Sequence, residues 1–280
     1  MFGLGGDAAD DSGSLMYTLV KFAGFPLAAG NELNGISFGG VGTGTNVEYV
    51  QVHNNSDDGV EFFGGTANVS HLVLTGNDDD SIDTDLGYQG AIQFALVVQR
   101  EDGGDNIVEA SSEPGAGVTP LSDATISNFT FVGSTGASGN GLRLNTGTVG
   151  QYANGVVVHP EECIRWEATA GDATAGYIQA NDPNFDSVLF DCGTTLAVAA
   201  DDAAAAAAAV ADDANNVETA SSLSGFVPFI NGAAENGVTE VDPTTLDPFF
   251  VAAPYIGAVE DIDDRWWAGW SCGLEAGSSC

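Results

Sequence analysis

Basic residues are scarce in this sequence, which has 5 Lys and Arg against 40 Asp and Glu among its 280 residues. The formal net charge at pH 7 is −35. Such a surface repels phosphate groups, so nucleic acids and anionic membranes are poor partners. It also repels polyanionic polysaccharides unless bound cations intervene.

The sequence also lacks a long apolar run. No stretch reaches the roughly 18 residues of a membrane-spanning helix, and the opening MFGLGGDAADDSG has no signal-peptide pattern. We therefore expect either a processed chain or part of a longer protein. A GxSxG nucleophile elbow, a P-loop and a dinucleotide fingerprint are all missing. These absences favour a non-catalytic protein over an enzyme.

Cysteine is limited to four residues, Cys163, Cys192, Cys272 and Cys280. None lies in a CxxC pair, so a zinc site is not expected. The even number predicts two disulfides formed in an oxidising compartment. Three pairings are possible. In one of them, Cys272–Cys280 closes a short C-terminal loop and Cys163–Cys192 joins neighbouring segments.

Short strand-like units separated by Gly, Asn and Asp are abundant. One kind of unit reads NGISF (34–38), DGVEF (58–62) and DSIDT (80–84), and a second kind reads NVEYVQV (46–52), NVSHLVL (68–74) and AIQFALV (91–97). Val47, Val69 and Ala91 are spaced by 22 residues, as are Val60 and Ile82. Alternating apolar residues indicate strands, and several short strands per 22-residue repeat are typical of a parallel β-helix.

The expected fold is all-β, a parallel β-helix of about 22-residue coils, and the chain divides into three parts. Residues 1–193 form the solenoid, with an insertion at one corner at 111–122. Residues 194–215 are rich in Ala and predict a helix. Residues 216–280 form an irregular, disulfide-closed segment that packs on the solenoid.

Five motifs carry a resemblance to a known family: NELNGISFGGVG (31–42), VQVHNNSDDGVEFFGG (50–65), VLTGNDDDSIDTDLGYQG (73–90), ATISNFTFVG (124–133) and YIGAVEDIDDRWWAGWSCGL (255–274). With them, the chain resembles the C-terminal part of bacterial cell-surface β-helix proteins, often lipoproteins, whose function is largely uncharacterised. The resemblance implies a right-handed parallel β-helix exported to the bacterial envelope. It brings no catalytic residues.

Stacked coils align equivalent residues into columns, and one column is chemically distinctive. It runs Ser37, Glu61, Asp83, Glu109, Arg143 and Arg165, each following an inward apolar residue. One interpretation is an ion ladder in which Glu109 pairs with Arg143. A second is a carboxylate groove for a cation or a sugar. A third is an acid/base pair, in which case an enzyme would use Glu61, Asp83, Glu109 and Arg143.

A second acidic cluster lies at the turns. The candidate metal ligands are Asp57, Asp58, Asp78, Asp79 and Asp80, together with Glu61 and Asp83 of the column. Like charges stacked one coil apart repel unless they are neutralised, and Ca²⁺ takes six to eight oxygen ligands, including carboxylates. The alternative is that these side chains cap the N–H groups of the turns.

The sequence thus predicts a non-catalytic extracellular or cell-surface protein with a structural or adhesive role and Ca²⁺ as its cofactor. Its partner would be another copy, in filaments or layers, or a surface glycan. The alternative is a polysaccharide-active lyase or glycoside hydrolase, since many parallel β-helices have such activities.

Overall fold

The computed structural model describes residues 7–27, 33–112, 119–167, 183–198, 207–208, 210–211 and 215–280. The strands in these ranges are β1 (Ser14–Lys21), β2 (Ile36–Gly39), β3 (Asn46–His53), β4 (Val60–Phe63), β5 (Val69–Thr75), β6 (Ile82–Asp85), β7 (Ala91–Val98), β8 (Val108–Ala110), β9 (Asp123–Val132), β10 (Leu142–Leu144), β11 (Val149–Trp166), β12 (Asn184–Val198) and β13 (Val217–Glu218). Two short 3-10 helices span Glu235–Gly237 and Pro243–Thr245. No helix in the described ranges combines the length and apolar character needed to cross a bilayer.

The strands stack in parallel as a β-helix with three sheets. Sheet A contains β2, β4, β6, β8, β10 and the last residues of β11 and β12. Strands β1, β3, β5, β7, β9, β11 and β12 each bend. The residues before the bend form sheet B, and the residues directly after it form sheet C. At each bend one residue has a positive φ, which turns the chain without a loop. The bend residues are Tyr17, Tyr49, His71, Phe94, Asn128, Asn154 and Ser187. The predicted parallel β-helix is confirmed.

The predicted register holds in sheet A, where Val60 pairs with Ile82. It is wrong by one residue in sheet B, because Val69 pairs with Ile92 rather than Ala91. The corner before β7 holds one residue more than the corner before β5. That corner inserts the ring of Tyr88 into the core, where its hydroxyl donates to the carbonyl of Ala67 at 2.8 Å.

The inner core is filled by the inward residues of all three sheets. Phe38, Phe62 and Tyr88 stack on successive coils, with centroid separations of 4.7 and 4.3 Å. A second stack at the bends joins Tyr49 to His71. Such columns form because every coil places the same position about 4.8 Å from its neighbour.

The outer face of sheet C is apolar, and residues 216–280, which we call the C-terminal strap, cover it. Val73 and Leu96 pack against Phe229 and Trp267 in one outer cluster, and a second cluster forms around Val156 and Ile256. Amide side chains fix the strap at several coils. They form two-bond pairs between Gln51 and the backbone of Cys272, between Gln93 and Val251, and between Asn154 and Val241. Sheet C is therefore buried on both sides.

Both disulfides have one of the predicted pairings, Cys163–Cys192 and Cys272–Cys280. Strand β12 continues to Val198, five residues past the expected end of the solenoid. Most of the helix predicted over 194–215 lies outside the described residues, as does the middle of the insertion at 111–122. The ends of that insertion meet where the N–H of Ser122 donates to the hydroxyl of Ser112 at 2.8 Å.

Candidate metal centre

Sheet A presents the charged column on the outside of the solenoid. Its register is Ser37–Glu61–Asp83–Glu109–Arg143–Arg165, with each residue paired to the next. The residues on either side of each column position point into the core, so alternation sends the column outward. Ser37 is exposed and the other five are partly exposed.

The turns before sheet A are held by a ladder of side-chain caps. Asp58 accepts the N–H of Asp80 at 3.1 Å, Asp80 accepts the N–H of Asn106 at 2.7 Å, and Asn106 accepts the N–H of Asn140 at 3.0 Å. Gly59 follows the first cap because a Cβ there would lie 2.6 Å from the carbonyl oxygen of Ser81. The predicted capping role is thus present, and Asn performs it as well as Asp. The charges of Asp58 and Asp80 are not needed for it.

Three carboxylates converge where this ladder meets the column. Asp58, Glu61 and Asp83 each offer an oxygen, and the three atoms lie within 4.8 Å of one another. Asp58 is 8% exposed. The Oδ1 atom of Asp83 is buried and has no hydrogen-bond partner. No ion pair of the described residues involves these three side chains. We call this group the carboxylate triad.

The pKa values of the triad respond to burial and crowding. Burial, followed by the negative charges of Glu61, Asp57 and Asp79, raises the pKa of Asp58 to about 9. Burial raises the pKa of Glu61 to about 7, although a hydrogen bond from Asn34 opposes the shift. Burial and the neighbouring carboxylates also raise the pKa of Asp83. A divalent cation would reverse these shifts by neutralising the crowded charges.

The remaining acidic candidates fall into two groups. Asp57 and Asp79 come within the same 4.8 Å limit of Asp58, and Asp79 and Asp80 come within it of Asp105. Asp78 instead forms an ion pair with Arg100. Asp105 was missing from the predicted ligands, although the same register aligns it with Asp57 and Asp79.

Both arginines of the column are already paired. Arg143 contacts Glu109 at 3.0 Å and Glu167 at 2.9 Å, and Arg165 contacts Glu162 at 2.7 Å. The pairing of Glu109 with Arg143 is the one that the ion-ladder interpretation predicted. The column therefore has a neutralised end at the arginines and an unneutralised end at Glu61 and Asp83.

Fold and site together define a parallel β-helix in which the strap covers the outer face of sheet C, while the outer face of sheet A carries the carboxylates. Over residues 1–227 the chain matches the family model described as a pectate-lyase-like beta helix domain, and it belongs to that family. Searches of curated proteins and of solved structures found no match. Membership of this family supports the resemblance to β-helix proteins at the level of the fold.

Proposed function

We propose that the protein is a non-catalytic extracellular β-solenoid that binds Ca²⁺ at the carboxylate triad. The observation that carries the proposal is the convergence of Asp58, Glu61 and Asp83 within 4.8 Å, with a buried Asp83 oxygen that has no partner. A buried carboxylate oxygen without a hydrogen-bond partner is unfavourable on its own. Coordination to a cation gives this atom a partner and removes the repulsion at the same time.

Calcium suits these residues better than other common metals. The triad contains only oxygen ligands, which exclude the soft metals. Ca²⁺ tolerates irregular geometry and a variable number of ligands, whereas Mg²⁺ demands a near-ideal octahedron. The partly exposed side of the triad leaves room for water, or for a surface glycan, to complete the coordination shell.

A structural or adhesive role in the bacterial envelope fits the rest of the molecule. The four cysteines form two disulfides, as expected outside the cytoplasm. The strap covers sheet C, whereas Glu61 and Asp83 of sheet A are partly exposed and can meet a ligand. Neither Arg143 nor Arg165 is free to act on an anionic substrate, because carboxylates hold both.

Calorimetric titration with Ca²⁺ and Mg²⁺ tests the proposal. We expect Ca²⁺ to bind more tightly than Mg²⁺, and Asp58→Asn to weaken Ca²⁺ binding by at least about tenfold. The Asn amide oxygen can still accept the N–H of Asp80, so the turn is preserved. The matched control is Asp263→Asn, an exposed position on the strap. Equal Ca²⁺ binding by wild type and Asp58→Asn would overturn the proposal.

The second candidate is a polysaccharide hydrolase, favoured by one observation. Glu61 has a pKa raised to about 7 and lies beside Asp83 in the column, as an acid paired with a second carboxylate requires. The two functions exclude each other, because a cation bound by Glu61 and Asp83 prevents proton transfer by them. Hydrolysis of a glycan in chelator, abolished by both Glu61→Gln and Ca²⁺, would establish the enzyme instead.

A further inference from the structure

The disulfide of the strap lies beside a histidine of sheet C. A ring nitrogen of His53 and the sulfur atoms of Cys272 and Cys280 lie within 4.8 Å of one another. His53 is the last residue of β3, and the strand register places it next to Thr75 of β5. Two sulfur atoms and an imidazole nitrogen are thus brought together by parts of the chain that are far apart in sequence.

Hydrogen bonds orient the ring of His53. Its Nδ1 atom lies 2.7 Å from Oγ1 of Thr75, and Nε2 of Gln51 donates to the same oxygen at 3.0 Å. A hydroxyl oxygen has two lone pairs, so it can accept from both nitrogens. Histidines that bind a metal typically donate their other N–H to an oxygen in this way. The contact with Thr75 therefore leaves the lone pair of His53 Nε2 for a metal ion.

Hydrogen bonds other than the disulfide hold the loop between the two cysteines. The N–H of Cys272 donates to Oε1 of Gln51 at 2.8 Å, and the Gln51 amide donates back to the Cys272 carbonyl at 3.0 Å. Within the loop, the N–H of Gly273 donates to the carbonyl of Ser278 at 2.8 Å. None of these bonds needs the S–S bond. Breaking the disulfide therefore leaves both thiols close to His53.

A positive charge lies next to the second cysteine. Lys21 is the only lysine in the chain, and its Nζ atom donates to the backbone oxygen of Cys280 at 3.1 Å. A lysine beside a thiol favours the thiolate, which is the form that binds metals. Thiolates and neutral imidazole together are the ligands that Zn²⁺ prefers.

From this geometry we propose that His53, Cys272 and Cys280 form a zinc site once a dithiol has reduced the disulfide. The dithiol gives two electrons and two protons to the S–S bond and becomes a disulfide itself, and the two cysteine thiols lose their protons when Zn²⁺ binds. Water fills the fourth position of the tetrahedron. In oxidising surroundings the disulfide closes the loop, and in reducing surroundings the zinc ion closes it.

The zinc site differs in chemistry from the carboxylate triad and does not depend on it. The triad offers only oxygen atoms, whereas two of the three ligands here are sulfur. The sequence does not reveal the site, because Cys272 and Cys280 lack CxxC spacing and the histidine comes from a distant strand.

Titration of the whole chain with Co²⁺ tests the zinc site, because thiolate ligands give Co²⁺ an intense charge-transfer absorption that carboxylates do not. A phosphine reduces the chain without competing for the metal, and excess Ca²⁺ occupies oxygen ligands. Reduced wild type should show the thiolate absorption, and Zn²⁺ should displace the Co²⁺. His53→Gln should weaken Co²⁺ binding by at least about tenfold, and Cys280→Ser should remove most of the absorption.

Two controls accompany these variants. Oxidised wild type has no thiolates and should show no such absorption. Reduced Cys192→Ser lacks a thiol of the other disulfide, whose sulfur atoms have no third ligand atom within the same 4.8 Å limit among the described residues. It should match reduced wild type.

Circular dichroism checks that the reduced wild type and every variant are folded. No thiolate absorption in reduced wild type would overturn the proposal, as would absorption that persists in Cys280→Ser. Co²⁺ binding that is insensitive to His53→Gln would also overturn it, because the histidine would then not be a ligand. A reduced wild type that unfolds would show that the loop is not held without the disulfide, which contradicts the site as well.

Discussion

Replacing Asp83 with Asn should stabilise the metal-free protein and abolish its response to Ca²⁺. Asp83 lies within 4.8 Å of ligand oxygens of Asp58 and Glu61. Two unit charges at that separation repel by roughly 3.5 kcal/mol at an effective dielectric constant of about 20. Partial protonation relieves some of this repulsion because the pKa values are raised. We therefore expect Asp83→Asn to raise the free energy of unfolding by about 1–3 kcal/mol in chelator at pH 8.

Thermal unfolding measures both effects in one assay. In chelator, Asp83→Asn should raise Tm by about 2–8 °C. Saturating Ca²⁺, at about 100 times its Kd, should raise the Tm of the wild type by about 5–10 °C and leave the variant unchanged. The control Asp263→Asn should match the wild type in both conditions.

Two results would contradict a crowded, cation-binding Asp83. If Asp83→Asn lowers Tm in chelator, the carboxylate makes a favourable interaction in the metal-free protein and is not crowded. If the variant keeps the full Ca²⁺ response, the ion binds elsewhere.

The same structure determines how pH, a core truncation and the loss of a strap contact affect the protein. Without metal, Tm should fall as pH rises from about 5 to 9, because the pKa values of Glu61 and Asp58 in the folded protein lie above their unfolded values of 4.5 and 3.8. Ca²⁺ should reduce this fall in Tm. A Tm that does not change with pH would contradict the prediction. Leu96→Ala should lower the free energy of unfolding in urea by about 2–4 kcal/mol, since Leu96 is buried beneath the strap; exposed Ile262→Ala should change it by less than about 0.5 kcal/mol. Gln51→Ala should speed amide hydrogen exchange at Cys272 by more than about tenfold, because the Cys272 N–H donates to Gln51 at 2.8 Å; unchanged exchange would mean that the strap is held without this pair.

Much of the solenoid was predictable, because a coil period survives in the sequence as spacing between apolar residues. The pairs Val60–Ile82 and Leu142–Ile164 could be read from it directly. The extra residue in the corner before β7 could not be predicted in this way. No local pattern distinguishes a turn that places Tyr88 in the core from a turn that does not. One residue is enough to shift a register by a full side-chain alternation.

The covering of sheet C by the strap leaves a signal in the sequence. Val73, Leu96, Val156 and Leu189 are apolar at outward positions of sheet C, where a solvated face would carry polar residues. Such positions indicate a second covering layer. The segment that provides it is irregular and fixed by side-chain amides such as Gln93 and Asn154, so no periodicity reveals where it lies.

The candidate site was predictable as a set of columns but not as a triad. Strand register aligns Glu61 with Asp83 and Asp57 with Asp79. The close approach of Asp58 to Glu61 depends instead on the conformation of the turn that precedes sheet A. The turn also sets Asp78 apart from the neighbouring aspartates, because Asp78 pairs with Arg100. The sequence gives no sign of this difference. Side-chain direction within a turn depends on contacts between coils, which no local pattern records.

An anomalous difference map from crystals grown with Ca²⁺ is the most direct test of cation binding at the carboxylate triad. We expect a peak about 2.3–2.6 Å from oxygens of Asp58, Glu61 and Asp83, and no such peak in crystals of Asp83→Asn. Crystals grown with Ca²⁺ that show no peak there, with the three carboxylates hydrogen-bonded to one another instead, would contradict it.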